Sequence, residues 1–214
     1  AGSSGLRLVT NQSQEGPHRT HEKLVKLGFD VAAHEVFSAL SAVRWLLEEE
    51  GLRPMLLLED TALEVFEGVP THEPNAVVVG TAPTHMHYER MTEAARALLD
   101  DASSRLVAVN NIRYYDRGDG LALGAGPFVA ALEFATGRSA RIVGKPSRDF
   151  FHASAAHAAG FGSQPPAADR CVMIGDDVLA DVQGAMDAGM QAILVRTGKY
   201  RPGDEEQCRT PPLA

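Results

Sequence analysis

Three carboxylates lie close together late in the chain, in the stretch VMIGDDVLADVQGAMDAGM from Val172 to Met190. An apolar run that reads as a buried strand ends in Gly175, Asp176 and Asp177, and Asp181 follows one turn into the next helix. Adjacent carboxylates repel each other. A hard divalent cation relieves that repulsion, and Mg²⁺ takes one or two protein carboxylates together with waters and phosphate oxygens. Asp177 also fits a simpler role as a helix cap, where an acidic group near the helix dipole stabilises by about 0.3–1 kcal/mol.

A second chemical signal is IVGKP, Ile142 to Pro146, where another buried strand ends in Gly144 and Lys145 follows. A lysine there can neutralise a phosphate and balance the carboxylates of the neighbouring βα unit; by itself it also fits a solvated surface lysine. The third is LRLVTNQSQ, a strand ending in Thr10 and Asn11, whose hydroxyl, amide and backbone N–H groups can cradle an anion. Thr10, Asn11 and Ser13 equally suit a capping segment. In parallel α/β sheets, sites form outside the carboxyl ends of strands, so these three strand ends point to one edge.

Other spacings carry less. His85 and His87 sit two apart ahead of a helix, with no third metal ligand in view. Gly118, Gly120, Gly124 and Gly126 do not follow the GxGxxG spacing and do not join a strand to a helix, which excludes a dinucleotide loop. A receiver-type arrangement places its acidic pair before its lysine; here Lys145 precedes Asp176.

The elements that must position these groups alternate. Short apolar runs predict strands at Leu6–Thr10, Pro54–Glu59, Ala76–Gly80, Leu106–Asn110, Arg141–Gly144, Cys171–Gly175 and Ala192–Arg196. Their continuous apolarity suits strands covered on both faces. Helical spacing predicts helices over His21–Leu27, Ala33–Glu50, Glu89–Leu99, Phe128–Thr136, Asp149–Ala159 with Ser147 as N-cap, and Val178–Ala188 stopping at Gly189. Asp116 to Gly120 reads as a hairpin turn, and the proline-containing tail from Arg201 as loop. The fold class is α/β, with a Rossmann-like parallel-sheet core.

The 214 residues carry a net charge of −8, which argues against nucleic acid or an anionic membrane as partner. No apolar run reaches the length of a membrane span, and two cysteines without metal-ligand spacing suit the reduced cytoplasm.

The order Thr10-Asn11, then Gly144-Lys145-Pro146, then Gly175-Asp176-Asp177 with Asp181 resembles motifs II, III and IV of the haloacid dehalogenase superfamily. About 130 residues separate the first two of these motifs, similar to the large inserted cap of the NagD-like branch. Stretches such as RPMLLLED, PNAVVVG and RTGKYRPGDEE extend the likeness from Leu6 to about Glu206. The resemblance implies a Mg²⁺-dependent phosphatase acting on a small phosphorylated molecule or phosphoamino acid. Lys145 and Asp181 would be catalytic, Asp176 and Asp177 would serve the metal, and Thr10, Asn11 and Lys145 would hold the phosphoryl group. It also implies a core from residues 1–36 and 141–214 and an α/β cap of the C2 type over 37–140. Within that cap, Asn110 and Arg113 are the expected substrate readers, and a homodimer would form through the cap.

The same resemblance places an attacking aspartate upstream of Thr10, about one strand and one helix before Leu6, whereas the first acidic residue here is Glu15. The expectation is therefore a core lacking its first strand, weakly stable and inactive as given, with a non-catalytic cap-mediated binding or dimerisation module as the alternative.

Overall fold

A computed structural model describes residues 5–159 and 164–213. The chain forms two compact units, one of residues 8–144 and the other of residues up to Arg7 together with those from Lys145 onward.

The first unit opens with strand β1, Leu8–Thr10, and helix α1, Pro17–Lys26, whose first turn holds Pro17 where no backbone donor is needed. A single 3₁₀ turn, Ala33–Glu35, leads into β2, Val36–Ser38, which pairs parallel with β1 in the register Thr10 to Ser38. Helix α2, Ala39–Glu50, follows at once. Ser38 caps it, accepting from the Ser41 amide at 3.2 Å, and Gly51 ends it in the left-handed conformation at φ 62°. The helix predicted over Ala33–Glu50 is thus a strand and a shorter helix. Val36 and Phe37 fit the apolar spacing of either, and the cap at Ser38 decides where the helix begins.

Next come β3, Pro54–Leu57, the short helix α3, Asp60–Leu63, β4, Ala76–Val79, α4, Tyr88–Asp100, and β5, Arg105–Ala108. The hairpin strands β6, Tyr114–Asp116, and β7, Leu121–Leu123, close on a turn in which the Arg117 amide donates to Gly120 O at 3.0 Å. Helix α5, Gly126–Thr136, and strand β8, Arg141–Ile142, complete the unit. The strand order is β3-β4-β5-β8, all parallel. All four residues of β4 are buried, as a central strand requires. Leu57, Val77, Val79, Leu98, Leu106, Val129 and Leu132 form a core in which α4 and α5 cover the sheet. Each such side chain contributes roughly 1.5–3 kcal/mol by leaving water.

The second unit holds α6, Arg148–Ala159, capped by the Ser147 hydroxyl on the Asp149 amide at 3.2 Å. Strand β9, Val172–Gly175, pairs parallel with β10, Gln191–Leu194. Between them the chain winds as a π-helix, Val178–Gln183, then α7, Gly184–Asp187. Gly189 stops this segment at φ 84°, as expected. The π-winding was not predicted: the carbonyl of Asp177 accepts from both the Asp181 amide at 2.9 Å and the Val182 amide at 3.2 Å, widening the first turn. The tail carries a 3₁₀ turn at Asp204–Gln207 and is otherwise irregular among the described residues.

Candidate functional site

In the second unit, β9 delivers Gly175, Asp176 and Asp177 at its carboxyl end. The π-helix then turns the side chain of Asp181 back over Gly175. A methyl group at position 175 would lie 2.4 Å from Asp181 Cβ and 2.5 Å from its Oδ2, so this approach requires glycine. Folded back, Asp181 meets Lys145, with Nζ 2.8 Å from Oδ1. Both side chains are nearly out of solvent, at 10% and 9% exposure. The Asp177 amide donates to the other Asp181 oxygen at 3.3 Å. The Lys145 ammonium also stands 5.8 Å from the centre of the Phe150 ring, a cation–π arrangement. Gly184 permits the close packing beneath: a methyl there would fall 2.7 Å from Pro146 Cβ. Lys145 is therefore not a solvated surface lysine. Removing one partner of such a buried pair typically costs roughly 3–5 kcal/mol.

Asp177 caps the helix that follows it and also pairs with a lysine. Its Oδ1 accepts from the Ala180 amide at 2.9 Å as an N-cap, while its Oδ2 meets the Lys199 ammonium at 2.9 Å. Asp176 is bound from the same turn, its Oδ2 accepting from the Lys199 amide at 2.7 Å. Burial pulls the Asp177 carboxyl upward, but the Ala180 amide and the Lys199 ammonium outweigh it and hold it below the usual carboxylate range. The hydrogen bond to Asp177 raises the Lys199 ammonium against the opposing effect of burial, with Asp181 and Asp176 adding to the pull. Lys199 was missed by sequence reasoning. Its signal was present, because Thr197-Gly198-Lys199 follows β10 with the same Gly-Lys order that marked Gly144-Lys145.

Among the described residues, no three His, Cys, Asp or Glu side chains converge as a complete metal cage. Asp176 and Asp177, adjacent at the end of β9, could supply part of a coordination sphere. That fits Mg²⁺, which completes its octahedron with waters and phosphate oxygens.

In the first unit, the loop after β1 lies across the carboxyl ends of the four-stranded sheet. Thr10 Oγ1 accepts from the Gln12 amide at 3.2 Å, and Gln12 Oε1 accepts from the amides of Ser13 and Gln14. Thr10 and Gln12 thus close turns inside the loop rather than cap a helix, since α1 begins after Gly16 with no side-chain cap. Asn11 Oδ1 lies against Gly144, where a methyl group would stand 2.9 Å away. Asn110, 1% exposed, donates to Ser13 Oγ at 3.0 Å and accepts from the Ile112 amide at 3.2 Å. Gln14 donates to the Tyr115 hydroxyl at 3.0 Å, and its carbonyl accepts from Thr61 at 2.5 Å.

Arg113 is exposed, its guanidinium 6.0 Å from the Tyr114 ring centre. The loop that carries it lies against Gly124 and Gly126, with the Gly126 amide donating to Ile112 O at 2.9 Å. A methyl at Gly124 would meet Ile112 O at 2.2 Å, and one at Gly126 would meet Asn111 Oδ1 at 2.7 Å. These two glycines provide clearance for the loop. His85 and His87 pair with different carboxylates, Asp60 at 3.0 Å and Glu89 at 3.1 Å.

Two of the sequence-predicted groups are thus assembled, one in each unit: Lys145, Asp176, Asp177 and Asp181 in one, and Thr10, Asn11 and Asn110 around a shared loop in the other.

A family model described as HAD-hydrolase-like matches residues 142–213. The chain is 51% identical over 207 residues to the human haloacid dehalogenase-like hydrolase domain-containing protein 2, covering 97% of this chain and 77% of that protein. It is 41% identical over 200 residues to the human phospholysine phosphohistidine inorganic pyrophosphate phosphatase, covering 94% of this chain and 72% of that protein. Among solved structures, it superposes on a 4-nitrophenylphosphatase from Thermotoga maritima with a TM-score of 0.82 at 28% identity, covering 96% of this chain and 78% of that one.

Proposed function

The chain belongs to the haloacid dehalogenase-like hydrolases, and from that premise we propose that it supplies most of a Mg²⁺-dependent phosphatase site for a small phosphorylated molecule or phosphoamino acid. The observation that carries this reading is the buried Lys145–Asp181 pair set beside Asp176 and Asp177 at one strand end. Asp176 and Asp177 would hold the metal, which when bound neutralises charge on the phosphoryl oxygens. Asp181 fixes the ammonium of Lys145, and Lys145 offers positive charge to the transferring group. Thr10 and Asn11 are assigned to phosphate binding, and Asn110 and Arg113 to an anionic or polar part of the substrate, Asn110 also holding the loop that carries Arg113. We place the cap at residues 37–140, the core at 1–36 and 141–214, and the protein in the cytoplasm, where the unpaired Cys171 and Cys208 stay reduced.

We assign to none of the acids from Glu15 onward the role of the attacking carboxylate that this chemistry needs. Turnover is accordingly proposed to require an upstream aspartate-bearing segment. The test is a panel of phosphate esters assayed with the 214 residues alone and with that segment of a family member joined ahead of them. Mg²⁺-dependent hydrolysis is expected only in the longer protein, with its loss in Asp176→Asn and Lys145→Ala. Hydrolysis indifferent to either substitution refutes the assignment.

A second reading rests on the hairpin. Tyr114 and Leu123 are paired across β6 and β7, Leu121 shares their face, and all three side chains are exposed. Such a face suits cap-mediated association with a second copy. Light scattering on the purified chain should report a dimer that Leu121→Lys with Leu123→Lys converts to monomer; a monomeric parent chain rules it out.

A further inference from the structure

The acidic strand end carries more negative charge than its buried lysine can balance. Asp176 and Asp177 end the strand, Asp181 follows one turn on, and Lys145 is paired with Asp181. A second cationic contact comes from a turn after β10. The Tyr200 amide closes that turn on Thr197 O at 2.9 Å, with Gly198 at φ 48°. A methyl at Gly198 would stand 1.9 Å from Asp176 Oδ2, so the bare backbone is pressed against that carboxylate. The next residue, Lys199, binds both acids, with its amide on Asp176 and its ammonium on Asp177.

The two contacts differ in kind. The amide bond is part of the turn and stays with it. The ammonium is at the tip of a four-carbon stem whose side chain is 74% exposed, so it can leave without any backbone movement. It is held there by one charge-assisted hydrogen bond, on one of the two carboxylates assigned to the metal.

We infer that Lys199 is an internal counter-cation of the metal site: its ammonium occupies the Asp177 carboxylate and a divalent ion must displace it, so that Lys199 sets how tightly the ion is held. The inference rests on the proposed metal role of Asp176 and Asp177 and adds the residue that opposes it. A solely supportive lysine makes the opposite prediction, because its removal would loosen the acids and weaken the ion.

Mn²⁺ binding to the 214-residue chain, followed by the electron paramagnetic resonance signal of the free ion, separates the two. Lys199→Gln is expected to tighten Mn²⁺ binding about threefold to tenfold, the range for removing an exposed charge next to a divalent ion. Lys199→Arg should retain the wild-type constant. Arg170→Gln removes an equal charge at the opposite end of β9 and should change it by less than about twofold. Unchanged or weaker binding in Lys199→Gln overturns the competition. Asp176→Asn in parallel tests the metal assignment itself: if wild type binds Mn²⁺ and Asp176→Asn does not, that assignment stands whatever Lys199 does. If neither wild type nor Lys199→Gln shows saturable binding, both are overturned.

Discussion

Gly175→Ala is the substitution with the sharpest expected consequence. The added methyl would lie 2.4, 2.5 and 2.7 Å from Asp181 Cβ, Oδ2 and Cγ, more than half an ångström inside ordinary contact. Asp181 cannot retreat cheaply, since it is tied to Lys145 at 2.8 Å and to the Asp177 amide at 3.3 Å. Backbone propensity favours the change, because alanine in a strand gains about 0.5–1 kcal/mol over glycine. Against this stands overpacking at about 1–3 kcal/mol, or loss of the buried ion pair at about 3–5 kcal/mol, whichever the molecule yields first. The expected net destabilisation is about 1–4 kcal/mol, measured by urea unfolding of the purified chain. A cycle isolates the cause. In an Asp181→Gly background the obstructing atoms are gone, and Gly175→Ala should there be neutral or slightly stabilising. A neutral Gly175→Ala in the wild-type background, or equal damage in both, would refute the steric coupling of strand end and acid.

Three further outcomes are expected. Asn110→Ala strands the Ser13 hydroxyl and the Ile112 amide, and should cost about 1–3 kcal/mol in denaturant unfolding; a double mutant with Ser13→Ala should cost clearly less than the sum of the two. Gly124→Ala drives a methyl onto Ile112 O, so it should lower the melting temperature and shift the amide resonances of residues 111–114, leaving those around Asp176 in place. Ser38→Ala removes the N-cap of α2 and should destabilise by about 1 kcal/mol in denaturant unfolding, whereas Ser38→Asp, which buries a carboxylate at this solvent-excluded position, should destabilise further.

The alternation of strand and helix was legible because runs such as Ala76–Val79 are apolar on both faces, which only a covered parallel strand tolerates. The apolar runs that end at Gly144 and Gly175 likewise placed Lys145 and Asp176 just past strand ends, with Asp181 one turn into the following helix. Less visible was anything decided by three-dimensional clearance. Val36 and Phe37 satisfy helical spacing and strand burial alike, so the short β2 merged with the helix that follows. Gly124 and Gly126 looked like a failed nucleotide loop, and their purpose is visible only once Ile112 O is found against them. Lys199 escaped notice because a surface lysine in a glycine turn is ordinary, and its two bonds to separate aspartates depend on how β10 lies beside β9.

The widened first turn after Asp177 has a consequence for insertions and deletions. A π-winding holds one residue more than an α-turn spanning the same rise, and each residue of an α-helix advances the side-chain direction by about 100°. Deleting one residue between Val178 and Ala180 would let the segment relax to α-geometry and leave β10 nearly undisturbed, yet it would swing the phase of Asp181 relative to the strand end. The helix would survive and its acid would point elsewhere. In this stretch, chain length is a coordinate of the proposed site, on a par with residue identity.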